Sequence, residues 1–479
     1  MTIRKLILVP VFVILSLALL AAAGVFAFFM ALDREFDVAA PDPGFDPPES
    51  IAEARLQDVA YLETFLELER SWTPETRAAA DRLHDRLRET ASAMSDAEFD
   101  LAVAEIVASA DNAHTKVREY DRLERYSRLP IRFHIFEDGL FVVRAYQGYE
   151  GLIGARVDRI GSASAEEALE IVEHYIGGPE GTERKYAPYI LESPELLHAA
   201  GISSNADGVV IDFTMADGEM RPVHFAHPYP PNTDQAIRSV QLLSPIAFSQ
   251  SQPEWAAALR GRGELPLYLQ SVIEQVNVSA LPDIDGVYIQ YWTNSSGSAD
   301  LSAFHREARA LIQETNPSVI VLDQRFNLGG NYMNTASFME WLGQALPADG
   351  RLYIVTAGTT FSAGISSTAR ALQAAADRTI LIGEPVGDRL QFWSEDNLLV
   401  LPNSGIQIKF STGYHDLTER CLWFRDCFWI DMFYPLAIDD LDPDIHVPLI
   451  SVNYFAGQDP VLDRIRELES QNIARASAD

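Results

Sequence analysis

Basic residues, and lysine in particular, are scarce in this chain. Its 479 residues include 69 acidic and 37 basic side chains, which gives a formal net charge of −32. Such a charge excludes nucleic acid or an anionic membrane surface as the main partner, because like charges repel. Only four of the basic residues are lysines, namely Lys5, Lys116, Lys185 and Lys409. A lysine that acts as a catalytic base therefore has few sources here.

Cysteine is almost absent as well, with two residues in the chain, Cys421 and Cys427. They lie six positions apart in an aromatic segment. In an oxidising compartment this spacing favours a local disulfide, and the alternative is a pair of buried reduced thiols. Two cysteines without a neighbouring group of histidines do not make a zinc site. We therefore predict no metal site and no cofactor.

Long hydrophobic runs are confined to the N-terminus. Residues 6–32 carry no charge and follow Arg4 and Lys5. A helix of this length spans about 40 Å, more than the roughly 30 Å of a bilayer's hydrocarbon core. The preceding positive charges predict that the remaining chain faces away from the cytoplasm. We expect residues 1–38 to form a single-pass anchor in the cytoplasmic membrane, with the body on the periplasmic or extracytoplasmic side. The alternative is a signal peptide cleaved near Ala21–Ala23.

Four further segments are predicted behind this anchor. Residues 39–50 form a Pro-rich linker. Residues 51–125 are a helical segment, because apolar side chains recur there at helical spacing. Residues 126–228 contain strands and one helix in an order typical of a PDZ-like β-rich module. Residues 270–465 alternate strand and helix, which predicts a layered α/β core.

Two Gly/Ser-rich turns within residues 319–387 are the most informative feature of the sequence. Each turn lies between a predicted strand and a predicted helix. The first ends in Gly329 and Gly330, and the second contains Ser362. A serine at such a turn can expose its hydroxyl at a helix N-terminus, where backbone N–H groups stabilise an oxyanion. A Gly-Gly turn supplies a further donor, because only glycine allows so close an approach. The pair of turns indicates a serine hydrolase.

Together, these turns resemble the tail-specific (C-terminal-processing) serine peptidases and their tricorn-core and interphotoreceptor-retinoid-binding-protein relatives. That family carries an Asp-Leu-Arg-x-Asn-x-Gly-Gly turn, a Thr-x-Ser elbow, a Gly-Glu-Pro-Thr-Gly turn and an upstream Asp-Gly-His-Thr element. Their counterparts here are Asp323–Gly330, Thr360–Gly364, Gly383–Gly387 and Asp111–Thr115. The resemblance covers about residues 50–470. It implies a Clp-protease/crotonase-like α/β core with an N-terminal helical segment and a PDZ-like module.

The resemblance also implies roles for individual residues. Ser362 corresponds to the nucleophile in one branch of the family, whereas alignment to the bacterial enzymes moves that position to Gly364. His114 matches the histidine of the upstream element. The oxyanion hole is expected from the N–H groups of Gly329, Gly330 and Ala363. Two residues after the elbow are candidates for a supporting carboxylate, Glu384 and Glu395.

The lysine base of the bacterial tail-specific enzymes has no counterpart in this chain. That lysine lies some two dozen residues after the serine, whereas Lys409 lies 47 positions after Ser362. The equivalent region holds Asp388 and Arg389, and an arginine stays protonated. The tricorn-like arrangement remains, in which His114 accepts the serine proton.

These features predict a membrane-tethered serine endopeptidase that acts on peptides or unfolded protein tails. The alternative is a catalytically inactive peptide- or lipophile-binding protein on the same scaffold. Three departures from the family pattern favour this alternative: Ile365 where many members have glutamate, the missing lysine, and Asn112-Ala113 before His114. The sequence predicts neither the cleavage preference nor the oligomeric state.

Overall fold

The structure is a computed structural model that describes residues 34–226, 239–247, 252–297, 299–421 and 427–476, with four isolated positions between residues 24 and 30. The predicted anchor helix, about residues 6–32, therefore lies almost entirely outside the described residues. Among the residues described, no helix combines the length and the apolar character needed to cross a bilayer.

The first folded segment is helical, and most of its buried apolar side chains belong to one cluster. Its helices begin at polar caps: Ser50 accepts the N–H of Glu53, and Thr73 and Ser95 each form a capping box. Such caps satisfy the free N–H groups of a helix's first turn. The elements of this segment are α1 (Ile51–Leu68), α2 (Pro74–Thr90), α3 (Asp96–Ala108), β1 (Lys116–Val117) and α4 (Glu119–Arg125).

A β-rich module follows. Its strands form an antiparallel sheet in the order β2-β3-β4-β6-β7, with β5 paired to β4. The seventh strand of this sheet, β8, pairs with β3 from beyond the predicted module boundary at residue 228. The elements are β2 (Ile131–Phe136), β3 (Gly139–Tyr146), β4 (Arg156–Ile160), β5 (Ala163–Ser164), α5 (Ala165–Glu173), α6 (Glu180–Tyr186), α7 (Pro188–Leu191), α8 (Pro194–Ala199), β6 (Val209–Thr214), β7 (Met220–Phe225) and β8 (Trp255–Ala257).

The α/β core confirms the predicted fold class. Its elements are α9 (Leu267–Gln270), β9 (Val276–Leu281), β10 (Gly286–Tyr291), α10 (Leu301–Thr315), β11 (Val319–Asp323), α11 (Met333–Ala345), β12 (Arg351–Thr356), α12 (Ala363–Ala375), β13 (Thr379–Gly383), β14 (Gln391–Ser394), β15 (Asn397–Val400), β16 (Gln407–Phe410), β17 (Gly413–Asp416), β18 (Ile445–His446), α13 (Ser451–Ala456) and α14 (Pro460–Ala476). Six strands form a sheet in the order β18-β13-β12-β11-β10-β9. Adjacent strands in this sheet are parallel, except that β9 pairs with β10 in antiparallel orientation. Continuous apolar strands such as β11 suit this sheet, because helices cover both faces of a parallel sheet.

Two small sheets bring distant parts of the chain to the core. Strand β1 pairs with β16, which also pairs with β15. Strand β14 pairs with β17. Because β1 comes from the helical segment, its pairing places the end of that segment beside the core. His114 lies two residues before β1 and therefore reaches the same region.

The two cysteines are joined. Cys421 and Cys427 form a disulfide with their Cα atoms 5.8 Å apart. This distance lies within the range that disulfide geometry allows. The bridge is the first of the two alternatives that the sequence left open, and it closes a short loop after β17.

A buried ionic cluster ties the first glycine-rich turn to the C-terminal helix. Arg325 donates to both carboxylate oxygens of Asp459, at 3.0 and 3.1 Å, and its Nε donates to Asp323 at 3.1 Å. Tyr288 OH donates to the other oxygen of Asp323 at 2.6 Å. Asp459 caps the start of α14, since it accepts the N–H groups of Val461 and Leu462. The cluster thus fixes the turn that leads to Gly329 and Gly330.

Arg325→Leu should lower the free energy of unfolding by about 3–5 kcal/mol, because it leaves two buried carboxylates without their cation. Urea unfolding followed by circular dichroism measures the change. The matched control is Arg466→Leu on α14, whose guanidinium pairs with Asp283 at the surface. An exposed pair contributes about 1 kcal/mol or less. Equal losses in the two variants would contradict the structural role of the cluster.

Candidate active site

Ser362 occupies a sharp turn between β12 and α12. Its φ is 54° and its ψ is −127°, a conformation that residues other than glycine rarely adopt. A strained strand-to-helix turn of this kind exposes the side-chain hydroxyl. Hydrogen bonds to the first glycine-rich turn hold it in place: Phe361 N–H donates to Asn327 O at 2.9 Å, and Thr360 Oγ1 donates to Gln324 O at 2.9 Å.

The Gly329-Gly330 turn approaches Ser362 as closely as its backbone allows. A Cβ atom at position 329 would lie 2.7 Å from the Cβ of Ser362, and one at position 330 would lie 2.3 Å from Ser295 Oγ. Their φ angles of 96° and 127° also favour glycine. Both positions therefore require glycine for steric and conformational reasons.

The backbone N–H groups around Ser362 differ in their availability. Gly329 N–H donates to Asn327 Oδ1 at 3.0 Å, so it is committed to the turn. This contact corrects the expectation that Gly329 serves the oxyanion hole. In the described chain, the N–H groups of Gly330 and Ala363 have no hydrogen-bond partner. Both residues line a cavity that Ser362 also lines. Two unused donors therefore remain beside the serine.

Position 364 has no room for a side chain. A Cβ atom on Gly364 would lie 2.6 Å from Asn327 O, because the first turn of α12 packs directly on the glycine-rich turn. Ile365 is completely buried in the apolar core. A glutamate there would lose its hydration without a partner. Of the two alignments that the sequence left open, this packing favours the one that ends on Ser362.

His114 lines a second, larger cavity that Ser362 also lines. Its ring is buried between two phenylalanines, with centroid distances of 4.4 Å to Phe361 and 5.5 Å to Phe392. Its Nδ1 lies 3.6 Å from Asp388 Oδ2, a carboxylate that is itself buried. Neither ring nitrogen of His114 makes a hydrogen bond within the described residues. Such contacts are often long before substrate binds and tighten in the complex.

The segments that carry His114 and Asp388 are tied together. Arg389 donates to the carboxylate of Asp111 at 2.9 Å and to the Asp111 carbonyl at 2.7 Å. On the other side of the turn, Asn112 Nδ2 donates to Ser411 Oγ at 2.9 Å. The Asn112 that departs from the family pattern therefore supports the turn that presents His114.

The two carboxylates expected from the sequence do not contact His114. Glu384 accepts the N–H of Leu449 at 2.8 Å and lines a separate cavity beside Arg184. Burial raises the pKa of Glu384 above its ordinary value. Glu395 does line the Ser362 cavity, but its partner is a different histidine, since it lies 3.5 Å from His415 Nε2.

A second serine-histidine-aspartate grouping lies next to this cavity. His415 Nε2 is 2.8 Å from Ser394 Oγ, and its Nδ1 is 2.9 Å from Asp431 Oδ2. Burial alone would lower the pKa of His415, but Asp431 and Glu395 outweigh that effect and raise it to about 10. His415 is therefore charged at neutral pH and has no free nitrogen lone pair to accept a serine proton. This grouping places a positive charge in the wall of the cavity. The sequence motifs did not indicate it.

Comparisons with known proteins agree with this architecture. Mature CPAF matches with a TM-score of 0.58 and 13% identity, over 89% of this chain and 98% of that chain. Mature CPAF complexed with lactacystin gives a TM-score of 0.56 and 13% identity, over 89% and 99%. The photosystem II D1 C-terminal processing protease gives 0.36 and 13%, over 83% and 93%. No family model and no curated protein sequence matches the chain.

The two structures of mature CPAF define the fold. The chain has the fold that its resemblance to the tail-specific peptidases implied, and that prediction is confirmed. Among individual proteins, it shares this fold with mature CPAF over nearly the full length of both chains. At 13% identity the likeness establishes the fold alone.

Proposed function

We propose that the protein is a serine-type endopeptidase that cleaves peptides or unfolded protein tails by acyl transfer. One observation carries this proposal: Ser362 has the backbone conformation of a strained elbow, and two unused N–H groups lie beside it. A serine that served only as a helix cap would accept a backbone N–H, and Ser362 makes no such bond. The conformation has a cost, which catalysis would explain.

Each residue of the site has a distinct role in this mechanism. Ser362 Oγ attacks the scissile carbonyl carbon while His114 accepts its proton, and His114 later gives that proton to the leaving amine. The N–H groups of Gly330 and Ala363 bind the oxyanion of the tetrahedral intermediate. Asp388 orients the ring through Nδ1 and stabilises the imidazolium that forms. Attack by water on the acyl-enzyme completes the reaction.

Lys409 does not act as the catalytic base in this mechanism. Its Nζ donates to Asp396 Oδ2 at 2.5 Å, so the ammonium is engaged in an ion pair. A lysine base has to be neutral and desolvated. A histidine side chain accepts a proton near neutral pH, and His114 lines a cavity together with Ser362.

Activity on an unfolded protein tests the proposal. The full chain in detergent should cleave casein and should react covalently with a fluorophosphonate probe, which requires an activated serine. Heat-denatured protein is the control for non-specific labelling. Stable binding of casein without cleavage and without labelling would instead favour the inactive binding protein.

The proposed peptidase is tethered to the cytoplasmic membrane by residues 6–32, with its body on the extracytoplasmic side. An uncharged run of this length after Arg4 and Lys5 favours insertion with the positive end inside. The membrane fraction should therefore retain the protein in high salt and in alkaline carbonate and release it in detergent. Protease added from outside should cut the linker 39–50 and free the body. A soluble mature protein that starts after Ala23 would contradict the anchor.

A further inference from the structure

The chain that follows the proposed anchor is docked on the core beside the candidate active site. Phe36 is 3% exposed, and its ring lies 5.3 Å from the ring of Phe428 in an edge-to-face contact. Both rings belong to one apolar cluster that also contains Ala363, the residue after Ser362. Phe428 lines the smaller of the two cavities that Ser362 lines. Phe36 is therefore held about one layer of side chains away from the proposed nucleophile.

Hydrogen bonds fix the backbone of the same segment. The buried amide of Asn397 binds it at two points: Nδ2 donates to Phe36 O at 2.8 Å, and Oδ1 accepts the N–H of Val38 at 2.8 Å. Thr412 Oγ1 also donates to Phe36 O, at 2.6 Å. Release of the segment would leave a buried amide without these partners, which is costly. Residues 36–38 are therefore attached to the core.

The attachment point is continuous with the wall of the larger cavity. Asn397 begins β15. The two residues before it, Glu395 and Asp396, line the larger cavity together with Ser362 and His114. Asn397 Nδ2 also donates to Glu395 O at 2.8 Å. The distance between the attachment point and the cavity is therefore set by the fold.

This attachment limits how far the candidate site can lie from the membrane. Under the proposed tether the span ends at residue 32, four residues before Phe36. Four extended residues reach at most ~14 Å, and one packed layer adds about 10 Å. Ser362 would then lie within roughly 25 Å of the bilayer surface. The Pro-rich residues 39–50 come after the contact, so their length does not add to this distance. The contact depends on the tether, because an intact chain keeps the segment at a high effective concentration that cleavage within 39–50 removes.

We propose that the peptidase acts on membrane-anchored proteins and cuts their extended tails within about ten residues of the bilayer surface. This inference rests on the proposed function, including the tether, and names the substrate class. Enzyme and substrate share one membrane, which raises the effective concentration of the tail at the site. The fixed height of the site then selects the part of the tail that reaches Ser362, since ~25 Å corresponds to about seven extended residues.

The test uses phosphatidylcholine vesicles that contain the full chain and a lipid-anchored substrate. Phosphatidylcholine carries no net charge and does not repel the acidic body. The substrate is an unstructured tail of identical repeats of one short sequence that the enzyme cleaves as a free peptide. Because the repeats are chemically equal, the positions of the cuts, mapped by mass spectrometry, report the distance from the bilayer alone. The free peptide supplies the rate in the absence of an anchor.

Two insertion variants form a matched pair. One carries a flexible Gly/Ser insert of about 20 residues after Asp33, ahead of the docked Phe36, and such an insert spans about 25 Å on average. The other carries the same insert after Gly44, which is exposed and lies behind the contact. We expect the native chain to cut the repeats nearest the lipid roughly 10-fold more often than the outermost repeat. The insert after Asp33 should move the cuts outwards and spread them, and the insert after Gly44 should leave the native pattern.

Energy transfer locates the cavity without relying on catalysis. Met333 lines the smaller cavity and is 36% exposed. Because the two native cysteines are bridged, a dye on the single new thiol of Met333→Cys is specific. Transfer from this dye to a lipid headgroup dye should be strong in the native background and with the insert after Gly44. The insert after Asp33 should weaken it.

The outcomes separate this inference from the proposed activity. Equal cutting of all repeats by the native chain, or the same outward shift with both inserts, overturns the substrate class and leaves the peptidase intact. A free peptide that is cut as fast as the anchored tail does the same. If neither the free peptide nor the tail is cut, the peptidase proposal fails and the substrate class falls with it. Energy transfer then still decides whether the cavity lies at the membrane.

Discussion

Replacing Ser362 with alanine should lower kcat for casein or peptide cleavage by roughly 10⁴–10⁶-fold, the range seen when a serine nucleophile is removed. The same variant should not react with a fluorophosphonate. The side chain is small and only half-buried, and it makes no helix-capping hydrogen bond, so we expect little change in thermal stability. Peptide affinity should remain near the native value, because the cavity walls are unchanged. Initial rates with a fluorogenic peptide measure kcat, and calorimetry measures the peptide affinity.

Two other serines are matched controls for this experiment. Ser366 lies one helical turn after Ser362, and Ser394 Oγ accepts a hydrogen bond from the charged His415. Both line the smaller of the two cavities that Ser362 lines. Ser366→Ala and Ser394→Ala should keep activity within a few-fold of the native value. Loss of labelling in Ser394→Ala, with retention in Ser362→Ala, would move the nucleophile to the second grouping.

Replacing His114 with alanine should lower kcat by a factor similar to that of the Ser362 variant. The serine would then lack its base, and residues that act as a unit are strongly non-additive. The double variant Ser362→Ala/His114→Ala should therefore be no slower than either single variant. Asp388→Asn should lower kcat by roughly 10⁴-fold with little change in KM, because an asparagine favours the wrong tautomer of the histidine.

The kinetics of these variants show whether Ser362 and His114 act together or contribute to kcat independently. If the two single losses multiply in the double variant, His114 and Ser362 do not act together. If Asp388→Asn is fully active while Asp396→Asn is not, the carboxylate that supports His114 is Asp396 instead. Circular dichroism of each variant shows whether a loss of activity reflects a loss of fold.

Local patterns predicted the layered core well. Continuous apolar strands such as Val319–Asp323 and the helices between them alternate in sequence, and a parallel sheet requires that alternation. The boundary of the β-rich module was less predictable. Strand β8 (Trp255–Ala257) joins that module through pairing with β3, which lies more than a hundred positions earlier. A three-residue strand carries too little periodicity to indicate such a partner.

The candidate site also contains residues that local sequence patterns indicate and contacts that they do not. The predictions for Ser362 and Ala363 rest on one local turn motif, and the prediction for Gly330 rests on another. Gly329 was assigned a donor role that its N–H does not have, since the contact with Asn327 Oδ1 depends on a side-chain rotamer. The approach of Asp388 to His114 joins positions far apart in the sequence, and no periodic pattern records it.

The lysines show a further limit of sequence reasoning. Their scarcity was visible and was used to exclude a lysine base. Their convergence on one cavity depends on the pairing of β1 with β16 and on the position of α6. Composition therefore argued against a lysine base. The positions of the lysines in one cavity follow only from the fold.

The most direct test of the central claim is mass-spectrometric mapping of the fluorophosphonate adduct on the full chain. The claim is that Ser362 is an activated nucleophile, which reacts with such a probe far faster than an ordinary serine. We predict one adduct, on the peptide that contains Ser362, and its loss in the His114→Ala variant. An adduct on Ser394 or on another serine, or no adduct in a folded protein that cleaves casein, would contradict this account.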